Sequence, residues 1–213
     1  MSSGSKTTWQ MIQIPALITL IVTILRLVGE LGHWSPRFFS TEAGGGFAIV
    51  GIVWLVPIFG IYFALKLVQE EGGPESKGKA IGLQLLGILM FVGSGFLLAR
   101  HWEYTGYLVM IISWIVYGIA WGGLAKTLLG YGFAARIPVV IVMAVATLSH
   151  WATHYSSYPP EEFPYATFIG KFWHGAVLPQ LLAWITFTLA VGGLFGIITS
   201  FFVHKPMAAR QTV

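Results

Sequence analysis

The stretch LSHWATHYSSYPPEEFP, residues 148–164, separates the last two long apolar runs of the chain. It closes one run with His150 and His154, spaced i and i+4, and continues into a loop rich in proline and aromatic residues. The runs on either side contain about 20 residues or more, the length that a helix needs to cross about 30 Å of hydrocarbon. This stretch therefore marks the end of a membrane span and the start of the longest loop between spans.

The composition places the whole chain in a lipid bilayer. Of its 213 residues 56% are hydrophobic and 9% are charged, whereas soluble domains carry about 25% charged residues. Charged or Pro/Gly-rich breaks divide the apolar sequence into six runs, which predict an all-α, polytopic transmembrane helix bundle forming one membrane domain over residues 1–213. The predicted spans lie near residues 10–31, 46–66, 79–100, 105–127, 135–155 and 177–203.

The basic residues predict the orientation, because cytoplasmic loops are enriched in Lys and Arg. The N-terminus, second loop, fourth loop and C-terminus contain Lys6, Lys66, Lys77, Lys79, Lys126, Arg136, Lys205 and Arg210. The other loops and their helix ends contain Arg26, Arg37, Arg100 and Lys171. We therefore expect both termini in the cytoplasm and the protein in the inner, cytoplasmic membrane of a bacterium.

The composition also excludes several kinds of site and partner. The chain contains no cysteine, which excludes disulfides, thiolate metal sites, iron–sulfur clusters and c-type haem attachment. The basic residues are scattered among loops, so we expect no nucleic-acid partner; the bilayer is the expected surrounding. No complete catalytic motif is present, and the sequence leaves open whether the protein is an enzyme.

A polar stripe on the first span is the first candidate site. Arg26, Glu30 and His33 follow i, i+4, i+7 spacing and share one helix face. Ionisable groups this deep in an apolar run face the bundle or a wet cavity. Glu30 is the predicted partner of Arg26. The pair is interpreted either as a structural clamp or as a site in which Arg26 orients Glu30 as a catalytic proton- or metal-binding group.

Histidines form the second candidate site. The predicted topology brings five of them to the outer side: His33, His101, His150, His154 and His174. On one helix face, His150 and His154 could bind a single cation. The alternative is a pair of interfacial histidines that hydrogen-bond to backbone and water.

Two cofactor classes fit these residues. For a metal ion the predicted ligands are His33, His150, His154 and His174, and nitrogen and carboxylate ligands suit Zn, Fe or Cu. For a b-type haem the predicted axial pair is His101 and His150.

Three functions follow from these features. The first is a membrane protein with an outer-face His/Glu site that binds a metal ion or haem, for redox or hydrolytic chemistry. The second is a non-catalytic accessory or structural subunit of a larger, energy-transducing membrane complex. The third is a small-solute or proton transporter that uses Arg26 and Glu30.

Other membrane subunits have two predicted contact regions. The loop 156–173 is expected to cap the outer helix ends or to dock a partner. The small-residue faces Gly118-x-x-x-Gly122 and Gly192-x-x-x-Gly196 allow close helix packing, within the chain or with another subunit.

Overall fold

The computed structural model describes residues 8–46, 48–159 and 164–203, which form helices joined by short irregular segments. The helices are α1 (Thr8–Leu31), α2 (Leu55–Glu70), α3 (Lys77–Ala99), α4 (Glu103–Ala120), α5 (Gly122–Leu148) and α6 (Phe168–Phe202). A short 3-10 turn, Ala43–Gly45, lies between α1 and α2. These described ranges contain no β-strand, so the all-α prediction is confirmed for them.

Within the described residues, five helices are long and apolar enough to cross a membrane: α1, α3, α4, α5 and α6. Large apolar side chains on them, such as Leu89, Ile115 and Phe202, are mostly exposed, which is typical of surfaces that face lipid rather than water. The helix α2 contains 16 residues and rises about 24 Å, less than the thickness of the hydrocarbon core. The second predicted span is therefore shorter as a helix than the sequence indicates.

The helix boundaries differ most around α5. The predicted break near residues 128–134 is helical, and the chain turns instead at Trp121, a single extended residue (φ −158°, ψ 94°) between α4 and α5. The helix then ends at Leu148, before both histidines. His150 and His154 therefore do not share a helix face, contrary to the prediction.

Three helices end in the same way, with a left-handed histidine followed by a tryptophan. The histidines have φ values of 51°, 61° and 54° at His33, His101 and His150, respectively. Each following tryptophan donates its N–H to a carbonyl five residues earlier, at 2.9 Å: Trp34 to Gly29, Trp102 to Leu97 and Trp151 to Ala146. This is the Schellman pattern of helix termination. Histidine adopts positive φ more readily than most residues other than glycine, so these three side chains belong to residues that end helices.

The chain divides into two compact units. Unit 1 contains Met1–Met11, Val56–Leu129 and Phe187–Val213. Within it, α3 packs along α4 and against the C-terminal part of α6. Gln84 on α3 donates to the carbonyls of Leu189 (3.0 Å) and Ala190 (2.8 Å). These carbonyls lie in a stretch of α6 with i→i+5 hydrogen bonding, Thr188–Gly192, and Gln84 adds a donor from the neighbouring helix to two of them.

The glycine pairs of unit 1 have different environments. A Cβ atom on Gly60 of α2 would lie 2.3 Å from the carbonyl oxygen of Gly192, so α2 and α6 touch backbone to backbone. The Gly192–Gly196 face is thus used within the chain. Gly118 and Gly122 lie on either side of the helix break at Trp121, and a Cβ on either meets nothing within 4 Å.

Unit 2 contains Ile12–Leu55 and Gly130–Thr186. In it, α1 and α5 run parallel, because Thr19 and Tyr131 join hydroxyl to hydroxyl at 2.8 Å and Glu30 contacts His154, beyond the end of α5. Unit 2 also contains a buried apolar cluster formed by Val139, Met143, Ala146, Tyr155 and Ala176. The C-terminal ends of both helices therefore meet at one end of unit 2.

Substitutions at His150 test its role in ending α5. His150→Gly is expected to keep the thermal unfolding midpoint, whereas His150→Val is expected to lower stability by about 1–2 kcal/mol, since a β-branched residue is strained at positive φ. The measurement is circular-dichroism melting of the purified protein in one detergent. Leu148→Val, at an exposed helical position, is the control, and equal midpoints for the Gly and Val variants would contradict the assignment.

Candidate functional site

A buried carboxylate organises the end of unit 2 at which α1 and α5 finish. The Glu30 side chain is 0% exposed, and Arg26 donates from Nε to its Oε1 at 2.8 Å. The i, i+4 spacing places both side chains on one face of α1. The contact predicted between Arg26 and Glu30 is therefore present.

Arg26 also ties α1 to the turn Ala43–Gly45. Its Nη2 donates to the carbonyl of Ser40 at 3.2 Å and to that of Gly45 at 2.7 Å. Gly45 has φ +85°, and a Cβ there would lie 2.6 Å from Nη2. The close approach of this turn to the guanidinium therefore requires glycine.

His154 binds the same carboxylate from the segment that follows α5. Its backbone N–H donates to Glu30 Oε2 at 2.9 Å, and its ring Nδ1 donates to Oε1 at 2.5 Å. An ionised carboxylate only accepts hydrogen bonds, so Nδ1 carries the ring proton. The other ring nitrogen, Nε2, then holds a lone pair when the imidazole is neutral, and no residue of the described ranges hydrogen-bonds to it.

Burial favours the neutral form of the His154 imidazole. Burial lowers the pKa of His154 below its usual value of 6.5; the hydrogen bond to Glu30 opposes this shift, and the charge of Arg26 adds to it. The segment that carries the ring is folded on itself, since Ser156 Oγ donates to the carbonyls of Trp151 and Thr153. His154 is thus held in one orientation with one tautomer.

A cavity of about 250 Å³ adjoins this cluster. At about 30 Å³ per water it has room for roughly eight water molecules. Its polar wall includes Arg26, Arg136, His154 and Gln180, and its apolar wall includes Val139, Met143 and Trp184. The cavity therefore combines positive charge, one titratable base and an apolar surface.

Arg136 is the residue of this site that the sequence analysis missed. The sequence predicts Arg136 at the start of the span 135–155, next to the fourth loop, but α5 begins at Gly122, so Arg136 lies well within the helix and is 4% exposed. Its Nη1 donates to Gln180 Oε1 at 3.1 Å, and its guanidinium carbon lies 4.6 Å from the centre of the Trp184 ring. Arg136, like Arg26, is an ionisable residue next to an apolar run. The same signal that identified Arg26 could therefore have identified Arg136.

The part of α6 that faces the cavity is irregular. Two stretches, Trp173–Val177 and Pro179–Ala183, have i→i+5 hydrogen bonding, and Pro179 has no backbone N–H to donate. Single wide turns of this kind frequently occur at functional sites. They bring Gln180 and Gly175 to the cavity wall.

The side chains of the remaining predicted histidines are exposed or contact other residues. His33 donates its backbone N–H to the carbonyl of Glu30 at 3.1 Å, and its side chain is exposed, as are those of His101 and His150. His174 stacks on Tyr165 with the ring centres 4.3 Å apart. Among the predicted site residues, Glu30 and His154 are thus the pair whose side chains are in contact in the described structure.

The described ranges contain no group of three or more His, Cys, Asp or Glu side chains that could hold a metal ion. Glu30 and His154 supply two such side chains at one place. Residues 160–163 of the predicted loop 156–173 lie outside the described residues, as do Lys6, Lys205 and Arg210.

Comparison with known proteins yields no relative. No protein family matches the chain, and no curated protein or solved structure is significantly similar to it. The geometry of the site is therefore the basis for any functional assignment.

Removing the buried charge of Glu30 tests whether it holds the site together. Glu30→Gln is expected to destabilise the protein by about 3–5 kcal/mol, because breaking a buried ion pair leaves the other charge without its partner. Thermal unfolding of the purified protein measures this loss. Glu75→Gln, at an exposed position, is the matched control, and similar midpoints for the two variants would contradict the assignment.

The lowered pKa of His154 predicts a loss of stability in acid. The unfolded chain binds this proton more readily than the folded protein, so the contribution of the neutral ring is fully present above about pH 6.5 and disappears as pH falls through the lowered folded pKa. His154→Asn removes the titration but keeps an N–H donor for Glu30. The difference in unfolding midpoint between wild type and His154→Asn should therefore shrink on acidification; a constant difference would contradict the shift.

Proposed function

We propose that this chain is an integral membrane protein that binds a small solute in the cavity beside Glu30 and His154 and couples its movement to a proton. The proton binds at Nε2 of His154 and leaves from the same atom. Glu30 fixes the ring and stabilises the imidazolium that forms. The protein is thus a proton-linked small-solute transporter of the inner, cytoplasmic membrane of a bacterium.

The observation that carries this proposal is the buried Glu30 carboxylate with His154 held against it. A carboxylate that accepts a hydrogen bond from Nδ1–H orients the imidazole and raises the basicity of its other nitrogen. Burial has the opposite effect on the basicity of the ring. A histidine under these two opposing influences changes charge in response to small changes around it, which a proton-coupled site requires.

The backbone around the cavity supports a binding role. Residues 48–54 are irregular, and Gly51, Ile52 and Val53 line the cavity. Non-helical backbone at membrane depth is tolerated where it is buried in protein or lines a water-filled cavity, and interrupted helices commonly surround the binding sites of transporters. The irregular segment before α2 and the wide turns of α6 fit this pattern.

The proposed topology has six spans with both termini in the cytoplasm. Residues 48–54 together with α2 form the second span, and the cavity lies toward the outer face. The eight basic residues assigned to the inner side outnumber the four assigned to the outer side, an asymmetry that supports this orientation.

A flux assay tests the coupling. The protein is reconstituted in phosphatidylcholine–phosphatidylglycerol vesicles that contain a pH-sensitive dye, and three probes of similar size are added: benzenesulfonate, benzenesulfonamide and phenyltrimethylammonium. At least one probe is expected to change the internal pH with the wild type. His154→Asn and Glu30→Gln are expected to reduce this change at least tenfold, because each removes a member of the proton-binding pair.

The matched control is His150→Asn, which alters an exposed histidine and keeps a residue that tolerates positive φ. It should retain wild-type flux. A wild type without coupled flux for any probe, or a His154→Asn variant with normal flux, would contradict the proposal. Stoichiometric Zn, Fe or Cu, or a Soret band, that is lost in His154→Asn would favour the metal or haem site instead.

A further inference from the structure

Arg136 has a buried charge with no carboxylate partner in the described part of the chain. Its contacts there are the side-chain oxygen of Gln180 and the face of the Trp184 ring. A guanidinium has five N–H donors, and the amide oxygen receives one of them. By contrast, Arg26 is paired with the Glu30 carboxylate at 2.8 Å.

The two arginines therefore leave the cavity wall with an excess positive charge. Both line the cavity, and the charge of Arg26 is compensated by Glu30, whereas no carboxylate of the described residues lies beside Arg136. An uncompensated charge is expensive in a membrane protein interior and usually marks a ligand or ion site. A neutral amide and an aromatic face weaken this cost, but neither removes the net charge.

The geometry points to a small organic anion as the ligand, and we propose that its acidic group binds Arg136 while its apolar body lies against Trp184 and Met143. A planar guanidinium offers paired N–H donors that match the two oxygens of a carboxylate or sulfonate. A volume of about 250 Å³ admits a group of the size of one substituted six-membered ring. This inference rests on the proposed function in one respect, because it uses the same solute-binding cavity. The argument from the charge of Arg136 does not depend on proton coupling.

Isothermal titration calorimetry with the full-length protein in lipid nanodiscs tests the charge preference. The probes are benzenesulfonate and its neutral analogue benzenesulfonamide. Wild type is expected to bind the sulfonate at least tenfold more tightly, because the amide offers no charge to Arg136. Equal affinities, or no binding of benzenesulfonate at millimolar concentration, would overturn the proposal.

Two substitutions locate the effect at Arg136. Arg136→Gln is expected to weaken benzenesulfonate binding at least tenfold and to leave benzenesulfonamide binding unchanged. Arg100→Gln removes an exposed arginine and should not change either affinity. If Arg136→Gln does not change the sulfonate affinity, the anion does not bind at this residue.

Gln180→Glu provides a test that keeps Arg136 in place. It puts a carboxylate next to the guanidinium, at the position where the amide oxygen now lies 3.1 Å away. The new ion pair should weaken benzenesulfonate binding at least tenfold and raise the unfolding midpoint, whereas Arg136→Gln should not raise it. A Gln180→Glu variant that folds and binds the sulfonate normally would overturn the proposal, even if Arg136→Gln fails to fold.

The outcomes separate this inference from the proposed function. Anion binding that depends on Arg136, without proton flux in vesicles, would retain the anion site and reject the transport proposal. Proton-coupled flux of benzenesulfonate that persists in Arg136→Gln would retain the transport proposal and reject the anion site.

Discussion

The interaction on which unit 2 depends is the acceptance of three hydrogen bonds by one buried carboxylate. Glu30 takes one from Arg26 and two from His154, so the end of α1 is fixed to the segment that follows α5. Arg26 extends the connection to the turn Ala43–Gly45. Because buried charges are stable only when they are paired and hydrogen-bonded, these three segments need each other. The position of the His154 ring in the cavity wall follows from this requirement.

Histidines in this chain have two roles, to end helices and, at His154, to bind a buried carboxylate. Sequence spacing does not distinguish these roles. His33, His101 and His150 occupy left-handed positions at helix ends, each followed by a tryptophan. A His-Trp pair suits the boundary of a membrane, because the histidine tolerates the helix-ending conformation and the tryptophan ring prefers the headgroup region. The repeated dipeptide was visible in the sequence, whereas its meaning depended on backbone angles. The outer position of a histidine therefore does not by itself identify a metal ligand.

The parts of the fold that could be predicted are those governed by local periodicity. Long apolar runs located the five membrane-length helices, and the i, i+4 spacing placed Arg26 against Glu30. The contact between Glu30 and His154 joins residues 124 positions apart and depends on where α5 stops. That stop is set by a single left-handed residue, which hydropathy does not detect. The same limitation explains why the sequence predicts Arg136 at a loop boundary, since the turn at Trp121 is one residue long and has no polar or charged signal.

The contrast between the two arginines shows how one fold can serve both stability and binding. At Arg26 the partner is a carboxylate, which completes the pair and leaves the guanidinium a structural role. At Arg136 the partner is Gln180, which has nearly the shape of glutamate but lacks its charge. A glutamate at that position would close the site with an internal ion pair. In the proposed anion site, an amide holds the guanidinium in place and leaves its charge for the ligand, so specificity for anions would rest on the absence of one negative charge.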